Sequence, residues 1–136
     1  MNQIRYRAGY RYQLAAPYEC LLMLAPVYEI VTEWARFLPS GHLVISTGYA
    51  WDGPSGLALD TKSAMRGSLV HDALYQLIRL RLLPEQTRET VDHIYERFCI
   101  EDGMWKLRAW GHFTALRAFG WAAADPESER PVLTAP

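Results

Sequence analysis

Residues 42–82 run HLVISTGYAWDGPSGLALDTKSAMRGSLVHDALYQLIRLRL, and the hydrophobic period changes within this stretch. From His42 to Ala50 apolar and polar residues alternate, the period-2 mark of a half-buried strand. Trp51 to Leu59 holds Gly53, Pro54, Ser55 and Gly56, a loop composition, and leads to Asp60-Thr61, either of which can cap a helix. Beyond it Ala64, Met65, Leu69, Ala73, Leu77 and Ile78 recur at period 3.6. This spacing predicts a helix over about 61–82, with Pro84 as the break.

Upstream, Ile4 to Leu14 alternates strictly and is expected as one strand. Glu19 to Leu24 and Tyr28 to Phe37 are short β-prone segments, and the Leu-Pro-Ser-Gly at 38–41 supplies turn chemistry. Val27 to Leu38 stays open between strand and short helix, because Ile30, Trp34 and Phe37 fit both. Downstream, Val91, Ile94, Tyr95 and Phe98 stripe a helix over about 85–102, with Gly103 as its C-cap. A third helix is expected over about 104–120, its Trp105, Trp110, Phe113 and Phe119 assigned to the core. The fold class is α+β, an amino-terminal antiparallel β meander followed by about three α-helices. One domain spans 1–124, and the polar, proline-broken residues 125–136 form a tail.

Half of the 136 residues are hydrophobic, enough for a core without staples. With 14 Lys+Arg against 15 Asp+Glu the formal net charge is -1, which disfavours nucleic-acid binding by bulk charge. Cys20 and Cys99 are too few for a disulfide framework and are expected as buried thiols. No run approaches the ~18 apolar residues of a transmembrane segment. Met1 to Tyr12 interleaves Arg with Tyr and Ile, which is not the pattern of a signal peptide. An alternating strand edge gives a second copy a place to pair, so a homo-oligomer is among the expectations.

The chemistry-bearing residues gather around the predicted helical hairpin. His71 and Tyr75 lie one turn apart on one side of the first helix, and Asp72 points about 100° away from His71. If the short connection packs the two helices antiparallel, positions near 71 and 92 fall at similar heights, and Asp92 can bond a ring nitrogen of His71. A histidine oriented by a carboxylate keeps its other nitrogen as a general base. Asp72, facing the glycine-bearing loop, is suited to a hard cation, with Ca²⁺ favoured by oxygen ligands. The implied reaction is attack of water on an ester, with the cation steadying the oxyanion.

Gly-Tyr-Ala-Trp-Asp-Gly-Pro-Ser-Gly at 48–56, Asp60-Thr-Lys, Met65 through Gln76, Glu101-Asp-Gly-Met104 and the late Arg-Ala-x-Gly block form a signature along nearly the whole chain. By it the chain resembles a family of phage and prophage proteins, a domain of unknown function. That resemblance implies a place in the host cytoplasm or the virion, and a phage or host protein as partner. Locally, His71, Asp72 and Tyr75, with a glycine-bearing loop before them and Asp92 after, are similar to phospholipase A2. This likeness implies His71 as catalytic base, Asp92 as the carboxylate behind it and Tyr75 as its hydrogen-bonding support. It also implies Asp72 as Ca²⁺ ligand, backbone carbonyls of the loop at Trp51, Asp52 and Gly53 completing the site, and an ester or lipid substrate. The chain departs from that family in lacking its disulfides, in the Trp51-Asp52 and Pro54 of its loop, and in the strand-rich segment ahead of the site.

Two functions follow. One is a small phage-encoded hydrolase with a His-Asp dyad, Ca²⁺-assisted and phospholipase-like. The other is a non-enzymatic phage accessory, a virion component or a binder of a host protein, in which the same residues form a rigid core. Asp52 also suits a tight turn bonding its own backbone, and His93 with Glu96 lacks the paired histidines of a zinc hydrolase. His42 and His112 are expected at the surface or in an aromatic layer. Accessibility separates the two functions: an enzyme opens His71 and Asp72 to a cleft, and a structural network buries and saturates both.

Overall fold

The computed structural model describes residue 4, residues 6 and 7, and residues 12–51 and 62–126. It is an α+β fold, antiparallel strands first and helices after. Strands β1 (Tyr6–Arg7), β2 (Tyr12–Leu14) and β7 (Ala50–Trp51) form one sheet in the order β1-β2-β7. Strands β3 (Tyr18–Leu21), β4 (Ile30–Val31), β5 (Ala35–Phe37) and β6 (His42–Ile45) form a second in the order β3-β6-β5-β4. Pro17, which has no N–H to give a ladder, stands between β2 and β3 where the chain passes from one sheet to the other.

The stretch Ile4 to Leu14 is not one strand. Tyr6 pairs with Leu14 and Arg7 with Gln13, so the chain doubles back as a hairpin. Opposed positions are both even or both odd, so the alternation passes through the bend unchanged and conceals it. The ambiguous Val27 to Leu38 resolves into a second hairpin, with Ile30 opposite Phe37 and Val31 opposite Arg36. Its turn is held by the Thr32 hydroxyl, which accepts from the backbone N–H groups of Trp34 and Ala35.

Helix α1 (Lys62–Arg79) is the centre of the molecule, buried along most of its length. Its Met65, Leu69, Val70, Leu74 and Leu77 share one core with Leu14, Tyr18, Phe37, Leu43, Ile45 and Trp51 of the sheets. The buried Trp51 indole donates to Ser68 Oγ at 3.0 Å, and that hydroxyl donates to the Met65 carbonyl at 2.9 Å. Sheet and helix are thereby tied one turn before His71. Helix α2 (Arg88–Glu101) follows a 3-10 turn (Glu85–Thr87) and lies antiparallel to α1, since Arg66 reaches Glu101 and Asp102 while Tyr75 reaches Asp92. Helices α3 (Lys106–Phe119) and α4 (Trp121–Ala124) are the last among the described residues.

Three expectations need correction here. Of the aromatic positions assigned to the core, Trp105, Trp110 and Phe119 are exposed, and Phe113 is half-buried against the His93 ring. The face of α3 that packs is Ala109, His112 and Leu116, because a small residue at 109 lets the helix come close to Tyr95 and Cys99. Cys99 is buried, but Cys20 is only half-buried. Burial pushes the two thiols up to about 12 and about 11, so neither is a thiolate at neutral pH. Of the expected tail, only Asp125 and Pro126 lie among the described residues.

The third correction concerns the end of α1, which stops at Arg79, short of the expected 82. Leu82 N–H donates to the Leu77 carbonyl and Arg81 N–H to that of Ile78, a Schellman closure with Arg81 at the left-handed position, φ 61°. Helix α2 closes in the same way through Met104 and Gly103, where φ is 105° and the residue is the expected glycine. Arginine in that conformation costs about 1 kcal/mol relative to glycine. Arg81→Gly is therefore expected to raise stability by about that amount, read as a higher urea midpoint at unchanged slope; an unchanged or lower midpoint would refute it.

Candidate active site

His71, Asp72 and Tyr75 stand on the middle turns of α1, and Asp92 on the second turn of α2 opposite them. His71 Nε2 is 2.8 Å from Asp92 Oδ1, and the Tyr75 hydroxyl donates to the same oxygen at 2.6 Å. The antiparallel hairpin thus brings together the three residues expected to form the dyad and its support. Arg117 of α3 donates to the other oxygen, Oδ2, at 3.0 Å. Asp92 has no exposure to solvent and His71 only 5%. Among the described residues no buried side-chain polar atom lacks a partner.

His71 is held in orientation by its rings and its neighbours. Its imidazole lies 4.0 Å from the Tyr75 ring and meets the Tyr95 ring edge-on at 5.5 Å. With Nε2 committed to Asp92, Nδ1 faces the other way, toward Asp72 Oδ1 at 3.7 Å. The Asp72 side chain is 36% exposed. The ring therefore runs from a sealed carboxylate on one nitrogen to a carboxylate at the solvent boundary on the other.

Burial opposes charge on His71, but hydrogen bonds and charge from Asp72 and Asp92 outweigh it and raise the imidazole above its usual range. Asp92 shows the converse: burial pushes the carboxyl up, while His71, Tyr75 and Arg117 together hold it below its ordinary value. The Tyr75 phenol is pushed well up by burial and by Asp92, so it remains a donor. In the neutral imidazole a proton on Nε2 satisfies Asp92 and leaves Nδ1 with its lone pair. Nδ1 is then the atom that can accept a proton.

Four residues of this network were not among the expected site residues. Arg117 bonds Asp92, and Arg88 donates through Nε to the Tyr75 hydroxyl at 3.1 Å and through Nη2 to the carbonyls of Leu116 and Arg117. Tyr95 and His112 form a second buried pair, with Tyr95 Oη 2.8 Å from Nδ1 of His112. Burial, then the Arg108 charge, lowers the His112 pKa, so the ring is neutral and accepts the phenol proton. One signal was present in the sequence. At Gly120 an added Cβ would come within 2.6 Å of the Leu116 carbonyl oxygen and 2.9 Å of the Tyr75 hydroxyl. The pattern Arg-Ala-x-Gly occurs twice, at 108–111 and 117–120, and it is the second, at the end of α3, that closes over Asp92 and Tyr75.

Of the residues expected to hold a metal, Asp72 sits beside His71, while Asp52 and Gly53 lie outside the described residues. Trp51 is buried, its ring against Tyr12 and its indole on Ser68. Among the described residues no three His, Cys, Asp or Glu side chains converge as metal ligands. His42 pairs with Glu19 at 3.5 Å across the second sheet, and His112, expected at the surface or in an aromatic layer, stacks on Tyr95. Comparison with protein-family models, with curated proteins and with solved structures gives no match.

The network makes stability depend on pH in a defined direction. Asp92, held low, contributes fully above its ordinary 3.8 and loses the contribution as pH falls through its depressed value. His71, held high, contributes fully below its ordinary 6.5 and loses the contribution as pH rises through its raised value. The joint contribution is complete between these two ordinary values. Urea midpoints from about pH 3 to about pH 9 are expected to fall away on both sides of that window, and to flatten in Asp92→Asn. Removing the buried charge partner altogether, in Asp92→Ala, is expected to cost about 3–5 kcal/mol; a loss under about 1 kcal/mol, as for an exposed pair, would contradict the geometry.

Proposed function

We propose that the protein is a small hydrolase in which His71 draws a proton from water at Nδ1 while Asp92 and Tyr75 hold the ring. The observation that carries this reading is the division of the imidazole, with Nε2 locked to a solvent-free carboxylate and Nδ1 turned toward a half-exposed one. Proton uptake at Nδ1 gives an imidazolium between two carboxylates, which lowers the barrier to generating a nucleophilic hydroxide. Tyr75 fixes the carboxylate that fixes the ring, and Arg88 fixes Tyr75. The substrate class is an ester, and the resemblance to phospholipase A2 favours that of a lipid.

Asp72 gives a hard cation one accessible carboxylate, and Ca²⁺ suits such a donor with the carbonyls of the 51–53 loop, beginning at Trp51. When bound, the cation polarises the ester carbonyl. The chain's own part is to place Asp72 on the same turn as His71, so that whatever Asp72 holds is presented to Nδ1. The resemblance to phage and prophage proteins supports a phage-encoded enzyme acting in the host cell or the virion.

A second reading has its own support: by the accessibility criterion His71 is buried and its network saturated, as a brace requires, while Asp72 alone reaches the solvent boundary, and Arg88 and Arg117 reach across three helices. On that reading the network is the brace of a phage accessory that binds a virion or host protein. Calorimetric titration of metal-stripped protein with Ca²⁺ and Zn²⁺, beside folded Asp72→Ala and His71→Ala variants, distinguishes the two. The hydrolase reading expects saturable Ca²⁺ binding that is lost in Asp72→Ala and kept in His71→Ala, and ester turnover down ~10²-fold or more in His71→Ala. Absence of both metal heat and ester turnover, with both variants strongly destabilised, would leave the brace.

A further inference from the structure

Among the described residues the outer face of α3 has no partner, and its chemistry is one-sided. Leu107, Trp110, Gly111, Thr114 and Ala118 fall at i, i+3, i+4, i+7 and i+11, a single stripe opposite the packed Ala109, His112 and Leu116. Leu107 is 78% exposed and Trp110 56%, and Trp121, which opens α4 directly after α3, is 61% exposed. Trp105 and Phe119 stand exposed at the two ends of α3. Large apolar side chains gathered this way mark an interaction surface.

We propose that this face of α3 and α4 docks on the surface of an anionic lipid bilayer. From Gly103 to Ala124 the chain holds Lys106, Arg108 and Arg117 and no acidic residue. The rest of the chain keeps eleven basic against fifteen acidic residues, a net charge of -4. Arg117 is turned inward to Asp92, while Lys106 and Arg108 are exposed on either flank of the stripe. A second copy meeting this face through its own would set cation against cation, so the charge selects an anionic occupant.

The shape selects a bilayer among anionic occupants. The stripe lies on the convex outside of a helix, with Leu107 and the Trp110 indole standing on it, and a protein partner would need a matching groove, whereas headgroups and acyl chains part around such a surface. Indole rings are at home at that boundary, with an apolar body and a donor N–H at the headgroups. Among the described residues no helix is long and apolar enough to cross a membrane, so the face lies in the interface and does not span. This inference goes beyond the hydrolase reading and does not depend on it.

The test uses the full chain with vesicles of phosphatidylcholine alone and of equal phosphatidylcholine and phosphatidylglycerol. Co-sedimentation and a blue shift of tryptophan emission are expected on the anionic vesicles, with binding about 30-fold tighter than on neutral ones, a factor of about five for each of Lys106 and Arg108. Lys106→Glu/Arg108→Glu is expected to remove that preference. Trp110→Ser/Trp121→Ser, its fold checked by circular dichroism, is expected to weaken binding about 10-fold or more. His71→Ala is expected to bind as the unaltered chain does, so loss of catalysis and loss of docking are read separately. No binding to the anionic vesicles, or equal binding by the tryptophan variant, would overturn the proposal. So would a dimer in solution that the tryptophan substitutions dissolve, which would assign the face to a second copy.

Discussion

Asp92 is a carboxylate with no contact to solvent, and a charge so placed persists only if every lone-pair direction is answered. The answers come from two other helices: His71 and Tyr75 of α1 on one oxygen, Arg117 of α3 on the other. Arg88, at the start of α2, then ties Tyr75 to the carbonyls near the end of α3. The apolar core between α1 and the sheets gives the fold its bulk stability, and the Trp51–Ser68 bond and the Arg66 pairs hold α1 against the sheet and α2. The buried carboxylate adds a constraint on the azimuth of α1 and the height of α3, because a small rotation or slide would leave a charge unpaired.

The same constraint divides the imidazole of His71 into a side held by Asp92 and a side that faces Asp72. A proton on Nε2 is required by Asp92, and in the neutral ring the lone pair on Nδ1 follows from it. Asp72 comes next in sequence to His71, and its position on the helix carries it to the solvent boundary. A structural role and the proposed catalytic one are thus not competing uses of this network. The brace that positions the helices is also what would orient a base, and Arg117 tempers the charge of Asp92 in either role.

Much of this was legible in the sequence, for identifiable reasons. The period-3.6 stripes and the short link through Pro84 fixed two antiparallel helices, and from those the encounter of His71 with Asp92 followed. The strands were legible as strands but not as hairpins: the bend between Tyr6 and Leu14 preserves parity, so alternation carries no mark of it. The phase of α3 was not legible, because that helix is apolar on both sides. Its tryptophans outweigh Ala109 and Leu116 in any hydrophobic reckoning, although the small residue is the one that permits close packing. Arg117 went unread for the same reason, since its inward direction is known only once that phase is known. Arg81 broke the usual rule that a left-handed helix end calls for glycine, and α1 ended early without a sequence mark.

The central claim is that Asp92 fixes the tautomer of His71 and leaves Nδ1 as the open nitrogen. It is tested most directly by nitrogen-15 NMR of the protein labelled in its histidine rings, with His71 assigned by the loss of its signals in His71→Asn. The account predicts that neutral His71 carries its proton on Nε2, with Nδ1 unprotonated, and that Asp92→Asn disturbs this tautomer. A neutral ring protonated on Nδ1, or one whose tautomer is unchanged by Asp92→Asn, would contradict it.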